Sequence, residues 1–182
     1  MELEGLDKNL NVVWNPLPSV VRKFAQHIRG MDLLEQTMLT GSSLTYFDVE
    51  NQLMDGVFKA ELGWAVFWKE VPMCVGGVQV TESASVYLVW QVGTRMCELK
   101  PLAYTHFSIA GMEMLLEEFG TLTNWCLDEN KSTQRWLQHC GFSFDADPVE
   151  VEGVKWWRFY KTIGSEADIC AGQMSEAISL RH

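Results

Sequence analysis

The sequence predicts one α+β domain, an α/β sandwich in which a mixed and mostly antiparallel sheet is flanked by helices. Three observations predict this class. Apolar residues recur at helical spacing near the N-terminus, short apolar strands follow in the middle, and a long amphipathic helix precedes further strands. Hydrophobic residues make up 47% of the 182 residues, which is ample for one core. We expect the domain to span residues 19–163, with a lead-in at 1–18 and a tail or docking helix at 164–182.

The N-terminal part is predicted to be mainly helical. Residues 1–18 are polar and contain proline, which is typical of a lead-in or a short edge strand. Ser19 is placed to cap a helix that Gly30 ends. A second helix follows Asp32, and a further short turn is expected to break at Asp55-Gly56.

The middle of the chain predicts an antiparallel meander of three strands. Residues 64–68 are aromatic and β-branched, and Lys69-Glu70 has the character of a hairpin turn. The return strand spans residues 73–80, where Gly76-Gly77 indicates a bulge. Residues 86–92 form the third strand, which is nearly all apolar and is therefore expected to be covered on both faces.

A long helix is predicted to follow, from Pro101 in its first turn to Gly120 at its end. Its apolar side is formed by Ala103, Phe107, Ala110, Met114 and Leu115.

The C-terminal part predicts a strand, a short helix and a closing hairpin. Residues 123–127 form the strand, and residues 133–140 form the helix, which Gly141 caps in a left-handed conformation. Residues 142–144 then pair with residues 154–160 across an acidic loop. The predicted order is thus helices, meander, long helix, strand, short helix and hairpin.

The composition excludes several classes of function. The chain has 14 Lys and Arg against 24 Asp and Glu, a net charge of −10, so a nucleic acid partner is not expected. Its longest apolar runs are far shorter than the roughly 20 residues of a membrane helix. The acidic N-terminus has no signal-peptide pattern. The five cysteines are an odd number without a CxxC pair, and most have apolar neighbours, which is typical of reduced, buried thiols.

Residues 130–142 read Asn-Lys-Ser-Thr-Gln-Arg-Trp-Leu-Gln-His-Cys-Gly-Phe. A strand that ends in asparagine, followed by a short helix, a Gly-Phe pair and a hairpin, resembles the GNAT superfamily of acetyltransferase-like proteins. The hairpin over residues 64–80 is similar to that superfamily too, and the resemblance covers residues 20–162. It implies the mixed central sheet of that fold, and it implies Asn130 as a cofactor-binding residue.

Within that superfamily the chain is similar to the GNAT-like internal virion proteins of short-tailed bacteriophages. The similarity lies in a strand over residues 86–92 that runs into a helix without a glycine-rich loop, in the Asn124-Trp125 strand, and in the helix that contains Arg135-Trp136-Leu137. This resemblance implies phage virion or host proteins as partners, and the host cytoplasm and the virion as the location.

An acetyl-CoA site requires donors for a pyrophosphate. The superfamily supplies them from a glycine-containing loop whose backbone N–H groups point at the phosphates. The corresponding residues 95–105 contain no glycine, Glu98 adds a negative charge, and Pro101 has no N–H. Arg95 and Lys100 are the candidate cofactor-binding cations. Because the backbone donors are missing, we expect no cofactor; acetyl-CoA is expected only if the chain is an enzyme.

The general acid of these enzymes is also missing from its usual place. Many of them have a tyrosine four residues before the glycine of the Gly-Phe pair, where this chain has Leu137. Tyr104, His106 and His139 are the candidate catalytic residues, although each is also consistent with a packing or surface role. No metal site is expected, because the acidic residues 145–152 lack the spacing of a calcium loop.

Eight tryptophans are more than a core of this size is expected to hold. Trp156 and Trp157 are adjacent on a strand and therefore point to opposite faces, so this pair supplies the candidate interface residues. The leading hypothesis is accordingly a phage protein that acts in virion assembly, or as a virion component, through protein–protein contacts and without standard acetyl-CoA transfer.

Two alternatives stay open. The first is a divergent acetyl-CoA-dependent N-acetyltransferase that modifies a host or phage protein. It predicts an open cleft between the strands at 86–92 and 123–127, which Met96 or Leu102 must not fill. The second is a small-ligand binding module that keeps the cleft without the chemistry.

Overall fold

The computed structural model describes residues 3, 5–41, 43–83 and 85–163. These residues form eight strands and six helices. In chain order they are β1 (Leu10–Trp14), α1 (Pro18–Ala25), α2 (Gly30–Thr40), α3 (Tyr46–Phe58), β2 (Leu62–Trp68), β3 (Val71–Val80), β4 (Tyr87–Gly93), α4 (Arg95–Leu99), α5 (Pro101–Phe119), β5 (Thr121–Leu127), α6 (Lys131–His139), β6 (Ser143–Phe144), β7 (Val149–Val151) and β8 (Val154–Thr162).

The strands form one mixed sheet. Its order is β1-β2-β3-β4-β5-β8-β6, and β7 pairs with β8 beside this path. The pairs β1–β2, β2–β3, β5–β8, β6–β8 and β7–β8 are antiparallel, whereas β4 and β5 are parallel. The predicted α+β class, with a mostly antiparallel sheet flanked by helices, is therefore confirmed.

The chain folds into two compact units, each with its own buried residues. Among the described residues, the first contains those up to 79 together with 90–110, and the second contains 80–89 and 111–163. In the first unit, Phe24 and Phe67 meet edge to face at 5.2 Å between ring centroids. In the second unit, Phe142 and Phe159 meet at the same distance with perpendicular rings. The predicted boundaries at 19 and 163 stay predictions, and the predicted tail lies outside the described residues.

The first helices differ from the prediction at their ends. β1 is an edge strand paired with β2, within the predicted lead-in. α1 begins at Pro18, not after Ser19, because the fixed φ of proline suits the first helical position. Gly30 begins α2 and does not end a helix. The chain is extended at Arg29, whose amide donates to the carbonyl of Gly93, and this bond separates the two helices.

α3 is a full helix and not the short turn that was predicted. Thr45 and Asp48 form a reciprocal capping box at its start. The helix continues through Asp55, whose side chain pairs with Lys59 at 2.7 Å. A Cβ at Gly56 would lie 2.8 Å from the ring of Trp90, so this glycine makes room for an indole and does not break the helix.

The β2–β3 hairpin confirms the predicted turn but not the predicted bulge. Lys69 and Glu70 both have positive φ, as a two-residue hairpin turn requires. The irregularity lies between Val66 and Phe67, whereas Gly76-Gly77 stays in register with β2. A Cβ at Gly76 would lie 2.6 Å from the Trp64 indole, so the glycine is needed for side-chain space.

α5 begins at Pro101 and ends before Gly120, as predicted. Ala103, Phe107 and Leu115 of the predicted apolar side are buried, while Ala110 and Met114 are half-buried. The buried side also includes Tyr104, Ser108, Met112 and Leu116.

The acidic loop of the closing hairpin contains a strand that the sequence did not predict. Residues 149–151 pair with β8 as β7, through a turn at Glu152-Gly153 in which both residues have positive φ. Asp145 in the same loop pairs with Arg158 at 2.9 Å. Backbone pairing can override an acidic composition, because carboxylates on a two-sided surface hairpin remain solvated.

Four cysteines lie in the described residues, and all are buried free thiols; Cys170 lies outside these residues. Burial raises the pKa of Cys97 to about 12 and that of Cys140 to about 11. None of the helices in the described ranges is long and apolar enough to cross a membrane.

Candidate functional site

Asn124 links β4 and β5 one residue beyond the positions at which their backbones pair. The strands pair at Tyr87 with Leu122 and at Leu88 with Thr123. One residue further on, Nδ2 of Asn124 donates to the carbonyl of Val89 at 2.8 Å. Its Oδ1 accepts from the amide of Trp125, also at 2.8 Å. Asn124 is buried, and its carboxamide is hydrogen-bonded at both ends.

Asn130 combines a helix cap with an unused donor. Its Oδ1 accepts from the amide of Thr133 at 3.2 Å and from the hydroxyl of Ser132 at 3.1 Å, which caps α6. The residue is fully buried, and its Nδ2 has no hydrogen-bond partner. A buried amide donor without an acceptor is costly, so this atom is suited to receive a ligand oxygen.

The glycine-free segment after β4 forms the short helix α4. The Thr94 hydroxyl accepts from the amide of Met96 at 3.1 Å and donates to the carbonyl of Pro72 at 2.7 Å. Arg95 and Lys100 lie at the two ends of this segment, and both are exposed. The Lys100 ammonium lies 5.2 Å from the centre of the Trp68 ring. The two cations are therefore accessible to an anion, although exposed Glu98 lies between them in sequence.

Leu102 and Met96 are the side chains that must not fill the cleft if the chain is an enzyme. Leu102 is 76% exposed, and Met96 is half-buried. Leu102 is thus not buried against its surroundings.

Tyr104 takes part in a chain of part-buried hydrogen bonds. Nε1 of Trp64 donates to Oε1 of Gln91 at 3.0 Å, and Nε2 of Gln91 donates to the Tyr104 hydroxyl at 2.7 Å. An indole N–H can only donate, so it fixes which end of the Gln91 amide faces Tyr104. Burial raises the pKa of Tyr104 well above its ordinary value, which keeps the phenol protonated near neutral pH.

Arg29 and Asp32 form a buried ion pair that the sequence did not indicate. Nη2 of Arg29 donates to Oδ1 of Asp32 at 2.8 Å, and Oδ2 of Asp32 accepts from the amide of Gly93 at 2.6 Å. Burial raises the pKa of Asp32, while Arg29 and the Gly93 amide oppose that rise. The pair fixes the end of β4 against the start of α2.

The remaining predicted residues are not brought together. His106 and His139 are exposed on α5 and α6, and His139 lies at the opposite end of α6 from Asn130. Trp156 is buried, and the assignment of Trp156 and Trp157 as interface residues stays a prediction. Trp157 is half-buried and donates through Nε1 to Asp128 at 2.6 Å.

The sequence prediction missed Asn124, Gln91 and the Arg29–Asp32 pair. A signal existed for the first two, because a carboxamide at an inward position of an apolar strand must be hydrogen-bonded. No signal existed for the Arg29–Asp32 pair, because Gly93, whose amide donates to Asp32, is distant in sequence. Within the described ranges, no group of three or more histidine, cysteine or acidic side chains could hold a metal ion.

The fold is shared with solved acetyltransferases. The aminoglycoside acetyltransferase AAC(6′)-Ib, in complex with ribostamycin and coenzyme A, matches with a TM-score of 0.66 and 14% identity, over 85% of this chain and 94% of its own. RimL, a ribosomal L7/L12 α-N-protein acetyltransferase in complex with coenzyme A, matches with 0.64 and 9%, over 89% and 98%. A GNAT-family acetyltransferase from Bacillus anthracis matches with 0.59 and 13%, over 86% and 95%.

No protein-family model matches the chain, and no curated protein matches it by sequence. The expectation of no cofactor is contradicted by the structures that share its fold, since several hold coenzyme A and one holds acetyl-CoA beside an aminoglycoside. That expectation rested on the glycine-free segment at residues 95–105. The chain has the fold of the GNAT acetyltransferases.

Proposed function

We propose that this chain binds acetyl-CoA and transfers its acyl group to an amine, as an N-acyltransferase. The observation that carries the proposal is the fold, which matches acetyltransferases crystallised with coenzyme A over most of both chains. The role in virion assembly had rested partly on surplus aromatic residues. All eight tryptophans lie in described residues, where Trp64 and Trp156 are buried and the other six are half-buried.

The candidates to contact the cofactor are Asn130 in the second unit, and Arg95 and Lys100 in the first. The free Nδ2 of buried Asn130 offers a hydrogen bond to a carbonyl or hydroxyl oxygen of the ligand. Arg95 and Lys100 are exposed cations that can pair with phosphate oxygens in place of the missing backbone amides. When bound, acetyl-CoA supplies an activated acyl group as a thioester.

The proposed reaction needs a proton donor for the leaving thiolate, and one of the candidate acids is suited to that role. In this transfer a neutral amine of the acceptor would attack the thioester carbonyl, the carbon–sulfur bond would break, the nitrogen would lose a proton to solvent, and the departing thiolate would take one up. Tyr104 is held as a phenol by burial, and Gln91 fixes its oxygen from one side. Leu137, at the position of the usual tyrosine, is buried and has no proton to give. Tyr104 is therefore the proposed proton donor.

The acceptor is proposed to be cationic. The chain carries a net charge of −10, which attracts positively charged molecules over long distances and raises their rate of encounter. Aminoglycosides and protein N-termini, the substrates named for proteins with this fold, are both amines of this kind. These two classes provide the acceptors for a first assay.

The test is calorimetric titration of the protein with acetyl-CoA. Mass spectrometry then follows the acceptors after incubation with the protein and acetyl-CoA. Asn130→Asp keeps the cap of α6 but removes the donor, so we expect acetyl-CoA affinity to fall about tenfold. The melting temperature should change little. Asn11→Asp, at an exposed position of β1, is the matched control and should bind as the wild type does. Absence of acetyl-CoA binding by the wild-type chain would contradict the proposal, and unchanged binding by Asn130→Asp would remove Asn130 from it.

A further inference from the structure

The Trp64 indole crosses a neighbouring strand to reach its hydrogen-bond partner. In the sheet, β3 lies between β2, which contains Trp64, and β4, which contains Gln91. Trp64 pairs with Gly76 of β3, and a Cβ at Gly76 would lie 2.6 Å from Cζ2 and 2.7 Å from Cε2 of the indole. Glycine therefore leaves the room that the ring needs, and Nε1 of the ring donates to Oε1 of Gln91 at 3.0 Å.

The indole decides the direction of the next hydrogen bond. A carboxamide can turn over so that its oxygen and nitrogen exchange places, and a phenol hydroxyl can either donate or accept, so Gln91 and Tyr104 alone would not fix the direction. Because an indole N–H can only donate, the Gln91 oxygen faces Trp64, and Nε2 of Gln91 donates to the Tyr104 hydroxyl at 2.7 Å. These residues all belong to the first unit.

A hydrogen bond in this direction favours release of the Tyr104 proton. Because the Tyr104 oxygen accepts from Gln91, its own hydrogen does not point at the Gln91 nitrogen. When that hydrogen leaves, the negative charge on the oxygen already has a donor in place, which stabilises it. In the opposite direction the phenol would donate to the Gln91 oxygen, and the phenolate would then face an acceptor. Trp64 is 2% exposed, so water does not compete for its N–H.

We propose that Trp64 is a positioning residue for the proton donor Tyr104, because its N–H orients the Gln91 amide so that the Tyr104 oxygen accepts a hydrogen bond. The inference rests on the proposed function for the role of Tyr104 as the donor. It gives a residue on β2 a part in acyl transfer, which Trp64 performs through Gln91.

The decisive variant is Trp64→benzothienylalanine. This residue keeps two fused rings and has sulfur in place of the N–H, so it fits beside Gly76 but does not hold the Gln91 oxygen. We expect the amide to turn over and Tyr104 to donate to it. The readout is the Cζ resonance of isotope-labelled tyrosine, which should move to higher frequency because a donating phenol has more phenolate character. Tyr104→Phe identifies the Tyr104 resonance by its loss.

The kinetic readout separates positioning from packing. In the same variant, kcat should fall at least about tenfold while KM for acetyl-CoA stays within about twofold, because the lost interaction acts only in the transition state. Trp64→Phe also lacks the N–H and should give the same two results. Trp125→Phe, at a half-buried position of β5, is the matched control and should change neither the resonance nor kcat.

An unmoved Tyr104 resonance or an unchanged kcat in a folded Trp64 variant overturns the inference. The wild type supplies a measurement that needs no variant, the scalar coupling across the hydrogen bond between the Trp64 indole nitrogen and Cδ of Gln91. Its presence supports the orientation of the amide, and its absence overturns the inference even if neither variant folds. If the wild type transfers no acyl group, the proposed function fails, whereas the Tyr104 resonance still decides whether Trp64 sets the direction of the bond.

Discussion

Buried and half-buried carboxamides determine much of the polar chemistry of the described residues. Gln91 lies between an indole that can only donate and a phenol whose pKa is raised by burial, and it satisfies both. Asn124 and Asn130 have the same functional group in other settings, one bonded at both ends and one with an unused donor. The role of each carboxamide therefore depends on which of its two ends, the oxygen or the nitrogen, already has a hydrogen-bond partner.

Removing the Gln91 amide should cost stability. Gln91→Leu leaves the Trp64 N–H and the acceptor side of the Tyr104 hydroxyl without Gln91, and we expect the free energy of unfolding in urea to fall by about 2 kcal/mol. Gln138→Leu, on the exposed surface of α6, should change it by less than about 0.5 kcal/mol. Equal effects of the two changes would show that the chain of hydrogen bonds contributes nothing to stability.

At the scale of elements, the sequence located the helices and strands better than it fixed their ends. The hairpin turn at Lys69-Glu70 and the end of α5 before Gly120 follow from local chemistry, and both are confirmed. α3 was predicted to stop at Asp55-Gly56, because local rules treat an Asp-Gly pair as a turn. The helix instead continues to Phe58, and the space beside Gly56 is occupied by Trp90, a residue on a distant strand.

Gly56 tests this explanation directly. Alanine in the interior of a helix normally stabilises by about 1 kcal/mol relative to glycine. At this position the new methyl group would lie 2.8 Å from the Trp90 ring. We therefore expect Gly56→Ala to lower the free energy of unfolding by about 2 kcal/mol. Gly30→Ala meets no atom within 4 Å in α2 and should be neutral or slightly stabilising. A stabilised Gly56→Ala protein would contradict the proposed role of Trp90.

For the whole molecule, buried thiols predict a loss of stability in alkali. The pKa of Cys140 rises from 9.0 to about 11 in the folded chain because of burial, while Lys161 opposes the rise. Above pH 9 the unfolded chain ionises this thiol and the folded chain does not. The free energy of unfolding should therefore fall by about 1.4 kcal/mol for each pH unit between 9 and 11 on account of this group. Urea titrations of wild type and Cys140→Ala at pH 8, 9 and 10 measure it, and parallel slopes would contradict the assignment.

The fold constrains function without choosing the substrate. Structures with a similar fold include an aminoglycoside acetyltransferase and a ribosomal-protein acetyltransferase, so the fold itself carries no acceptor specificity. The glycine-free segment after β4 remains unusual for the proposed activity. Under the proposed function, exposed Arg95 and Lys100 would bind the phosphates in place of backbone amides.

The sequence by itself determined the class of the fold, the order of most elements and the turns that depend on two adjacent residues. It also singled out Asn130, Tyr104 and the two cations as candidates. Tertiary structure alone decided which of them have partners, because hydrogen bonds such as Trp64–Gln91–Tyr104 and Asn124–Val89 join residues far apart in the chain. Periodicity records which residues are buried together, but it does not record which buried polar atoms meet, and the proposed chemistry depends on those meetings.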